Sequence, residues 1–259
     1  MKYDKNNKLR VFTAFSGYDS QCLSLNRLKE LYPEFDYTLV GWSEIEDAAI
    51  QAHNALFEDA KSLNLNDITK ITWVDVPDFD LFTYSFPCTD ISQAGKQAGL
   101  SKDSGTRSSL LWECKKAIEI KRPRYLLMEN VAALVSKKFI KDFHEWLLVL
   151  DKLGYESFSQ VLNAKDFGVP QNRERIFVVS ILRTDEEPTP RFHFPKPQPL
   201  QLCLVDILEE DVDEKYFLSD KMLATFCEKS MEEEGAAMIL QYIGHDDEDA
   251  DFEDFFVAQ

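Results

Sequence analysis

The sequence lacks the features that mark membrane, secreted and metal-binding proteins. No apolar run approaches the roughly 18 residues needed to span a bilayer, and residues 1–10, MKYDKNNKLR, have no apolar core of a secretion signal. Its five cysteines are odd in number and scattered, without a C-x-x-C pair, so neither a disulfide framework nor a zinc site is indicated. We therefore expect a cytoplasmic protein that uses no metal and enters no membrane.

Positive charge is also scarce, although its distribution matters more than its sum. A net charge of −17 argues against a nucleic-acid partner, because phosphate contacts need Lys and Arg. Residues 228–259 carry eleven Asp or Glu against one Lys, a balance of −10, which leaves only −7 for the rest of the chain. A basic groove can therefore exist locally, lined by Lys96, Lys102, Arg107, Lys115, Lys116, Arg173 and Arg175.

What the chain does contain is an alternation of strand-like and helix-like patterns. This alternation predicts an α/β fold with a doubly wound, mostly parallel sheet. Aromatic and apolar residues recur at helical spacing between residues 139 and 153, and we interpret them as core rather than as a base-stacking surface. Strands are predicted over residues 9–15, 37–42, 81–86, 124–128, 155–162 and 175–181, and helices over 21–31, 46–57 and 110–121.

Composition also predicts the domain boundaries. Five of the ten prolines fall within residues 188–199, which indicates the edge of the main domain. We expect a catalytic-type domain over 1–187, a proline-rich link with one or two short helices over 188–227, and a mobile acidic tail over 228–259. Residues 92–108 contain three glycines and few apolar side chains, and a loop of this length predicts a binding loop or lid.

The third predicted strand delivers a cysteine to the edge of the sheet. Residues 81–86 are apolar or small, and Pro87 ends the strand because proline has no N–H to donate. Ligands of open α/β sheets bind beyond the carboxyl ends of strands, so Cys88 lies where chemistry is expected. Taken alone, the stretch leaves open a second interpretation, in which Cys88 is a small buried apolar residue.

A second candidate site lies between the first two strands. The first strand leads through a turn containing Gly17 into a helix, which is the arrangement of a nucleotide- or cofactor-binding corner. Glu44 follows the second strand, where an acidic residue usually holds ribose hydroxyls. The alternative is that Glu44, with Glu46, only supplies negative charge to the first turn of the next helix.

These strand ends predict one shared edge. Glu44, Cys88 and Glu129 each follow or end a strand, and Arg173 and Arg175 enter another. A thiol, a carboxyl group and guanidinium groups at one edge describe nucleophilic catalysis with an acid partner.

Eight short motifs in order carry a family resemblance over residues 9–181, about two thirds of the chain. Together they resemble the DNA (cytosine-5) methyltransferase family, most specifically through Pro-Cys, Glu-Asn-Val and Gln-x-Arg-x-Arg. The motifs are Phe15-Ser-Gly17, Glu44-Ile45, Asn66-Asp-Ile68, Phe86-Pro-Cys88, Gly95-Lys-Gln97, Arg107-Ser-Ser-Leu110, Glu129-Asn-Val131 and Gln171-Asn-Arg-Glu-Arg175.

The resemblance implies methyl transfer to C5 of a flipped-out cytosine in double-stranded DNA. Cys88 would add to C6 of the base, Glu129 would hydrogen-bond ring N3, and Arg175, with Arg173 beside it, would hold O2. The loop from residue 92 to residue 107 would close over the base, since a stacked cytosine cannot be reached. The loop residues implied are Ser92, Gly95, Lys96, Gln97 and Arg107.

The same resemblance implies S-adenosylmethionine as the methyl donor. Phe15 would stack on adenine, Gly17 would let the backbone approach the methionine part, and Glu44 would bind the ribose hydroxyls. The remaining residues implied at the cofactor are Ile45, Asp67, Ile68 and Pro87.

The sequence departs from the family pattern at three points, one of which, Thr89 in place of the family's Gln after Pro-Cys, we treat as a tolerated variant. Asp19 stands where the family's first motif has its second glycine, although Asp tolerates the left-handed conformation better than most residues. A target-recognition region of full length and a final Gly-Asn helix are missing after Ile181, so a second polypeptide is one possible source of them. The alternatives are a non-catalytic interaction protein with the same fold, and an RNA cytosine-5 methyltransferase.

Overall fold

The computed structural model describes residues 3–87, 110–209, 212–213, 217–219 and 222. The strands are β1 (Leu9–Ala14), β2 (Tyr37–Ser43), β3 (Leu81–Tyr84), β4 (Tyr125–Val131), β5 (Tyr155–Asn163) and β6 (Glu174–Leu182). The α-helices of the described residues are α1 (Ser20–Leu31), α2 (Asp47–Leu56), α3 (Leu111–Lys121) and α4 (Ile140–Lys152). Each of the strands and helices predicted with bounds is therefore present, with its ends shifted by at most three residues.

The six strands form one sheet in the order β2-β1-β3-β4-β6-β5. β1 pairs in parallel with β2 and β3, and β3 pairs in parallel with β4. β6 is antiparallel to both of its neighbours, because the short link between residues 163 and 174 cannot make the crossover that a parallel pair needs. The prediction of a mostly parallel sheet is confirmed for β1 to β4, whose carboxyl ends consequently lie at one edge.

An aromatic cluster fills the centre of the sheet. Phe12 on β1 lies 5.2 Å from Trp73 and 5.3 Å from Phe79 between ring centroids, and Phe82 on β3 lies 6.0 Å from Phe12. Phe143, Trp146 and Leu150 of α4 are also buried, whereas Leu147 is partly buried, and Trp146 lies edge-on to Tyr84 at 6.1 Å. This packing fixes β1, β3 and β4 side by side, and with them the residues that follow their ends.

The chain divides into two compact units, Met1–Leu204 and Val205–Gln259. The first contains the whole sheet. The segment predicted to contain one or two short helices includes a 3-10 turn, Leu204–Ile207, while eight of the residues between 208 and 223 lie outside the described part of the chain. The boundaries after residues 187 and 227 stay predictions. Of the residues that the structure describes, no helix combines the length and the hydrophobicity that crossing a bilayer requires.

Candidate active site

Three residues in the turn between β1 and α1 have an unusual backbone conformation. Phe15, Gly17 and Asp19 have φ values of 54°, 58° and 65°, in the left-handed region that residues other than glycine rarely occupy. A Cβ added at Gly17 would meet no atom within 4 Å. Gly17 therefore faces open space, and the predicted close approach of a ligand to this backbone has room.

Glu44 joins this turn to the one that follows β2. Its Oε2 accepts the Gly17 N–H at 3.0 Å, and its Oε1 accepts the N–H groups of Ile45 at 2.8 Å and Glu46 at 3.0 Å. Since an ionised carboxylate offers about four acceptor positions, Glu44 retains capacity for a ligand hydroxyl. As in the alternative interpretation of Glu44, the side chain also accepts hydrogen bonds from the segment just before α2.

Asn64 brings a third segment to the same place, and the sequence reading missed it. Its Oδ1 accepts the N–H groups of Glu44 at 3.2 Å and Asn66 at 2.9 Å, and its Nδ2 donates to the Glu44 carbonyl at 3.1 Å. Asn66 has a φ of 56°, a conformation that Asn tolerates. The available signal was Asn64 and Asn66 flanking Leu65 just before Asp67, which favours a turn.

The three predicted residues beside this turn differ in exposure. Ile45 is 67% exposed and open to a ligand, whereas Ile68 is buried and packs in the hydrophobic core next to the site. Asp67 accepts hydrogen bonds from Oγ1 of Thr69 at 2.8 Å and from its N–H at 3.0 Å, which lower the pKa of the carboxyl group. An apolar surface, open backbone and two carboxylates suit the adenine, methionine and ribose parts of S-adenosylmethionine, so these residues fit the implied cofactor.

Further along the edge, Glu129 on β4 forms an ion pair with Arg175 on β6. Arg175 Nε lies 3.1 Å from Glu129 Oε1, and the two side chains are 23% and 22% exposed. In the antiparallel register Val131 faces Arg175 and Glu129 faces Phe177, so Glu129 and Arg175 are diagonal neighbours within reach of long side chains. The sequence predicted these two residues at one edge, and the structure places them in contact.

Asn130 is a second residue that the sequence reading did not single out. It is 3% exposed, and its Nδ2 donates to the Phe86 carbonyl at 3.0 Å. Phe86 precedes Pro87, the last described residue before Cys88. Asn130 thus fixes the chain one residue before Pro87-Cys88. The signal was a polar residue at the end of a buried strand, beside Glu129.

Arg173 lies on the loop before β6 and is exposed. Its N–H donates to Asn163 Oδ1 at 3.1 Å, and Asn163 Nδ2 donates to Asn172 Oδ1 at 2.7 Å, so side-chain amides hold this loop in place. Cys88 and the predicted loop residues Ser92, Gly95, Lys96, Gln97 and Arg107 lie outside the described residues. Their roles stay predictions.

Two of the other cysteines are poorly suited to nucleophilic chemistry. Cys22 and Cys114 are fully buried, and burial raises the pKa of both thiols. A thiol with a raised pKa yields little thiolate, which is the reactive form. Among the described residues, no group of three or more His, Cys, Asp or Glu is arranged to hold a metal ion.

Substituting Asn130 by Ala is expected to slow methyl transfer by about 10- to 100-fold, because misplacing a reacting group by an ångström has effects of that size. It is also expected to destabilise the fold by about 1–3 kcal/mol, since the buried Phe86 carbonyl loses its donor. Urea denaturation and single-turnover kinetics measure the two effects. Asn26→Ala, which removes an exposed bond to the Tyr37 hydroxyl, is the control. A destabilised Asn130→Ala protein with an unchanged single-turnover rate would contradict the positioning role.

The sheet order and the residues at its carboxyl edge define a methyltransferase-type α/β protein. Solved structures agree on the fold: the Dnmt2 methyltransferase of S. pombe superposes with a TM-score of 0.59 at 20% identity, covering 84% of this chain and 64% of that one. The family model described as C-5 cytosine-specific DNA methylase matches residues 9–251. The chain therefore belongs to the C-5 cytosine-specific DNA methylase family.

Two curated relatives show how much of a longer protein the match covers. The type II methyltransferase M2.ScrFI of Lactococcus lactis subsp. cremoris is 42% identical over 83% of this chain and 72% of its own length. The orphan methyltransferase M.SssI of Spiroplasma monobiae is 38% identical over 69% of this chain. The chain spans only 46% of M.SssI, so the family is established by these matches while the activity of the whole protein is a separate question.

Proposed function

We propose that the protein transfers a methyl group from S-adenosylmethionine to C5 of a cytosine in double-stranded DNA. The observation that carries this proposal is the Glu129–Arg175 ion pair on adjacent strands, beside the Asn130 bond that fixes the approach to Pro87-Cys88. The edge of the sheet brings together a carboxyl group, a guanidinium group and the strand that leads to Cys88. A non-catalytic interaction protein would not need these groups close together.

Cytosine C5 is a weak nucleophile, and the chemistry must first activate it. The Cys88 thiolate adds to C6, which places electron density on C5. The Glu129 carboxyl group donates a hydrogen bond to ring N3, which draws electron density towards N3 and makes C6 more electrophilic, while Arg175 donates to O2 and keeps the ring oriented. C5 would then take the methyl group, with S-adenosylhomocysteine as the leaving group. Loss of the C5 proton to solvent and elimination of the Cys88 thiolate restore the aromatic base and the free enzyme.

S-adenosylmethionine supplies an electrophilic methyl group on a sulfonium centre. The open Gly17 backbone receives the methionine part, and the Glu44 carboxylate, oriented by three N–H groups, accepts from the ribose. Phe15, Ile45, Asp67 and Ile68 would line the adenine pocket, and Pro87 would also belong to the cofactor site. Orientation of Glu44 before binding favours affinity, because less conformational freedom is lost on association.

The DNA partner is the second part of the proposal. The cytosine is flipped out of the duplex, and residues 92–107, with Lys96 and Arg107, close over it. Arg173, exposed next to Arg175 at the same edge, is placed to contact the adjacent phosphate or base. The relatives described above give no support to the second polypeptide considered from the sequence.

The test is transfer of a radiolabelled methyl group from S-adenosylmethionine to three substrates: cytosine-containing duplex DNA, the same duplex with 5-methylcytosine at every cytosine, and a structured RNA of matched length. We expect label only in the unmethylated duplex. Label in the RNA alone would establish the RNA alternative. An absence of transfer by a protein that is folded and binds S-adenosylmethionine would contradict the proposed activity of this chain.

A further inference from the structure

Asp19 is fully buried, although its side chain is ionisable and its neighbour Tyr18, in the turn between β1 and α1, is 53% exposed. Its exposed fraction is 0%, as is that of Thr13 beneath it. Burying a carboxylate is unfavourable unless hydrogen bonds or charges compensate. A residue that is both buried and held at a φ of 65° therefore calls for an explanation in its contacts.

Those contacts join three segments of the chain around the turn. Asp19 Oδ2 accepts the Thr13 hydroxyl on β1 at 2.8 Å, and Oδ1 accepts the Cys22 N–H in the first turn of α1 at 3.0 Å. The Asp19 N–H donates to the Ser16 carbonyl at 2.7 Å, closing a loop that contains Gly17. The end of β1, the Gly17 turn and the start of α1 are consequently fastened to a single side chain.

On the side of α2, the carboxylate of Asp19 is enclosed by His53 and by the aromatic rings that pack against His53. His53 Nε2 lies 3.5 Å from Asp19 Oδ2, too far for a good hydrogen bond. The His53 ring stacks on Trp42 with centroids 3.6 Å apart and planes 13° from parallel, and it contacts Phe57 at 5.0 Å. These rings close off the space next to the carboxylate, so Asp19 has little freedom to adopt another position.

We infer that Asp19 is a positioning residue for the methyl donor: its buried carboxylate, held by the Thr13 hydroxyl, sets the Gly17 turn through which the methionine part of S-adenosylmethionine is bound. A glycine at this position would reach the same backbone conformation by its own freedom, but could not fasten β1 to α1. The inference rests on the proposed function for its ligand. Because Asp19 is inaccessible, it acts through the turn and not by touching the cofactor.

Isothermal titration calorimetry with S-adenosylmethionine tests the inference on the full chain. Asp19→Gly removes the carboxylate and also the strain of a left-handed conformation at a residue other than glycine. We expect it to raise the Kd for S-adenosylmethionine at least about tenfold, because the free energy of hydrogen bonds to a charged group corresponds to at least that factor. Thr13→Val keeps the side-chain shape and removes the hydroxyl, and we expect an increase of about three- to tenfold. Thr13→Ser restores the hydroxyl and should bring the Kd back to within about twofold of the unaltered protein.

Asp36→Asn is the matched control for lost stability. Asp36 is also buried, at the opposite end of β1, where Lys8 and Lys29 pair with it at 2.7 Å and 2.6 Å. We expect this variant to lower the melting temperature and leave the Kd unchanged. Wild-type affinity in Asp19→Gly, or equal weakening by Thr13→Val and Thr13→Ser, would overturn the inference alone. Failure of the unaltered, folded protein to bind S-adenosylmethionine would instead overturn the proposed function, and this inference with it.

Discussion

Substituting Cys88 by Ala is expected to reduce methyl transfer by more than about 10³-fold. C5 of cytosine becomes nucleophilic enough to attack the methyl group only after a thiolate has added at C6. Loss of a covalent nucleophile reduces reaction rates by this factor or more. Binding of S-adenosylmethionine should change little, because Cys88 is not among the residues assigned to the cofactor, and the Gly17 and Glu44 turns that hold its methionine and ribose parts follow β1 and β2. Radiolabel transfer at saturating substrate measures the first effect, and calorimetry measures the second.

Cys203→Ala is the matched control, since Cys203 is an exposed cysteine outside the sheet. It should keep full activity. Buried Cys22 and Cys114 are unsuitable as controls, because removing either would also disturb packing. A Cys88→Ala protein that retains more than about a tenth of the wild-type rate would exclude the covalent route and would favour direct attack by an unactivated base.

The second large effect is expected at Glu129. Glu129→Gln keeps the size of the side chain but removes the carboxyl group that serves ring N3, and we expect the transfer rate to fall by about 10²- to 10⁴-fold, the range found for general acid–base groups. The fold should lose no more than about 1 kcal/mol, because a partly exposed ion pair contributes little to stability. Single-turnover kinetics and urea denaturation on the same sample separate the two quantities.

The chain offers a closely matched control for that substitution. Glu156 on β5 pairs with Arg183 at 2.7 Å, with side-chain exposures of 37% and 32%, so it is a partly exposed carboxylate–guanidinium pair away from the Glu129 edge, in which Arg183 also pairs with Asp151 at 2.8 Å. Glu156→Gln should match Glu129→Gln in stability and keep wild-type kinetics. Equal rates for the two variants would show that the Glu129–Arg175 pair is structural.

The sequence was sufficient to predict that the carboxyl ends of β1 to β4 lie at one edge of the sheet. The apolar runs before Glu44, Cys88 and Glu129 could only be buried strands, and parallel strands place their carboxyl ends together. Arg175 is different: its contact with Glu129 depends on β6 lying antiparallel between β4 and β5. The Gln-x-Arg-x-Arg resemblance placed Arg175 at the site, whereas the hydrophobic pattern alone did not specify the strand order.

The supporting hydrogen bonds were less predictable. Asn64 and Asn130 act through hydrogen bonds with backbone groups of Glu44 and Phe86, which are 20 and 44 positions away in the chain, and no local pattern specifies such a pairing. Asp19 was recognised as a departure from glycine at a turn, but its bond to Thr13 depends on how β1 and α1 pack. Glu44 was given two alternative roles, and the structure shows that its carboxylate serves the next helix while keeping room for a ligand.

The most direct measurement is covalent trapping on a duplex that carries 5-fluorocytosine in place of cytosine. Fluorine cannot leave C5 as a cation in the way that the proton does, so the thiolate cannot be eliminated after methyl transfer and the protein stays bonded to the DNA. The account predicts a complex that survives denaturing electrophoresis, forms only with S-adenosylmethionine present, is absent in Cys88→Ala, and maps to a peptide containing Cys88. A folded protein that binds both substrates and forms no such complex, or forms it through another residue, would contradict the account.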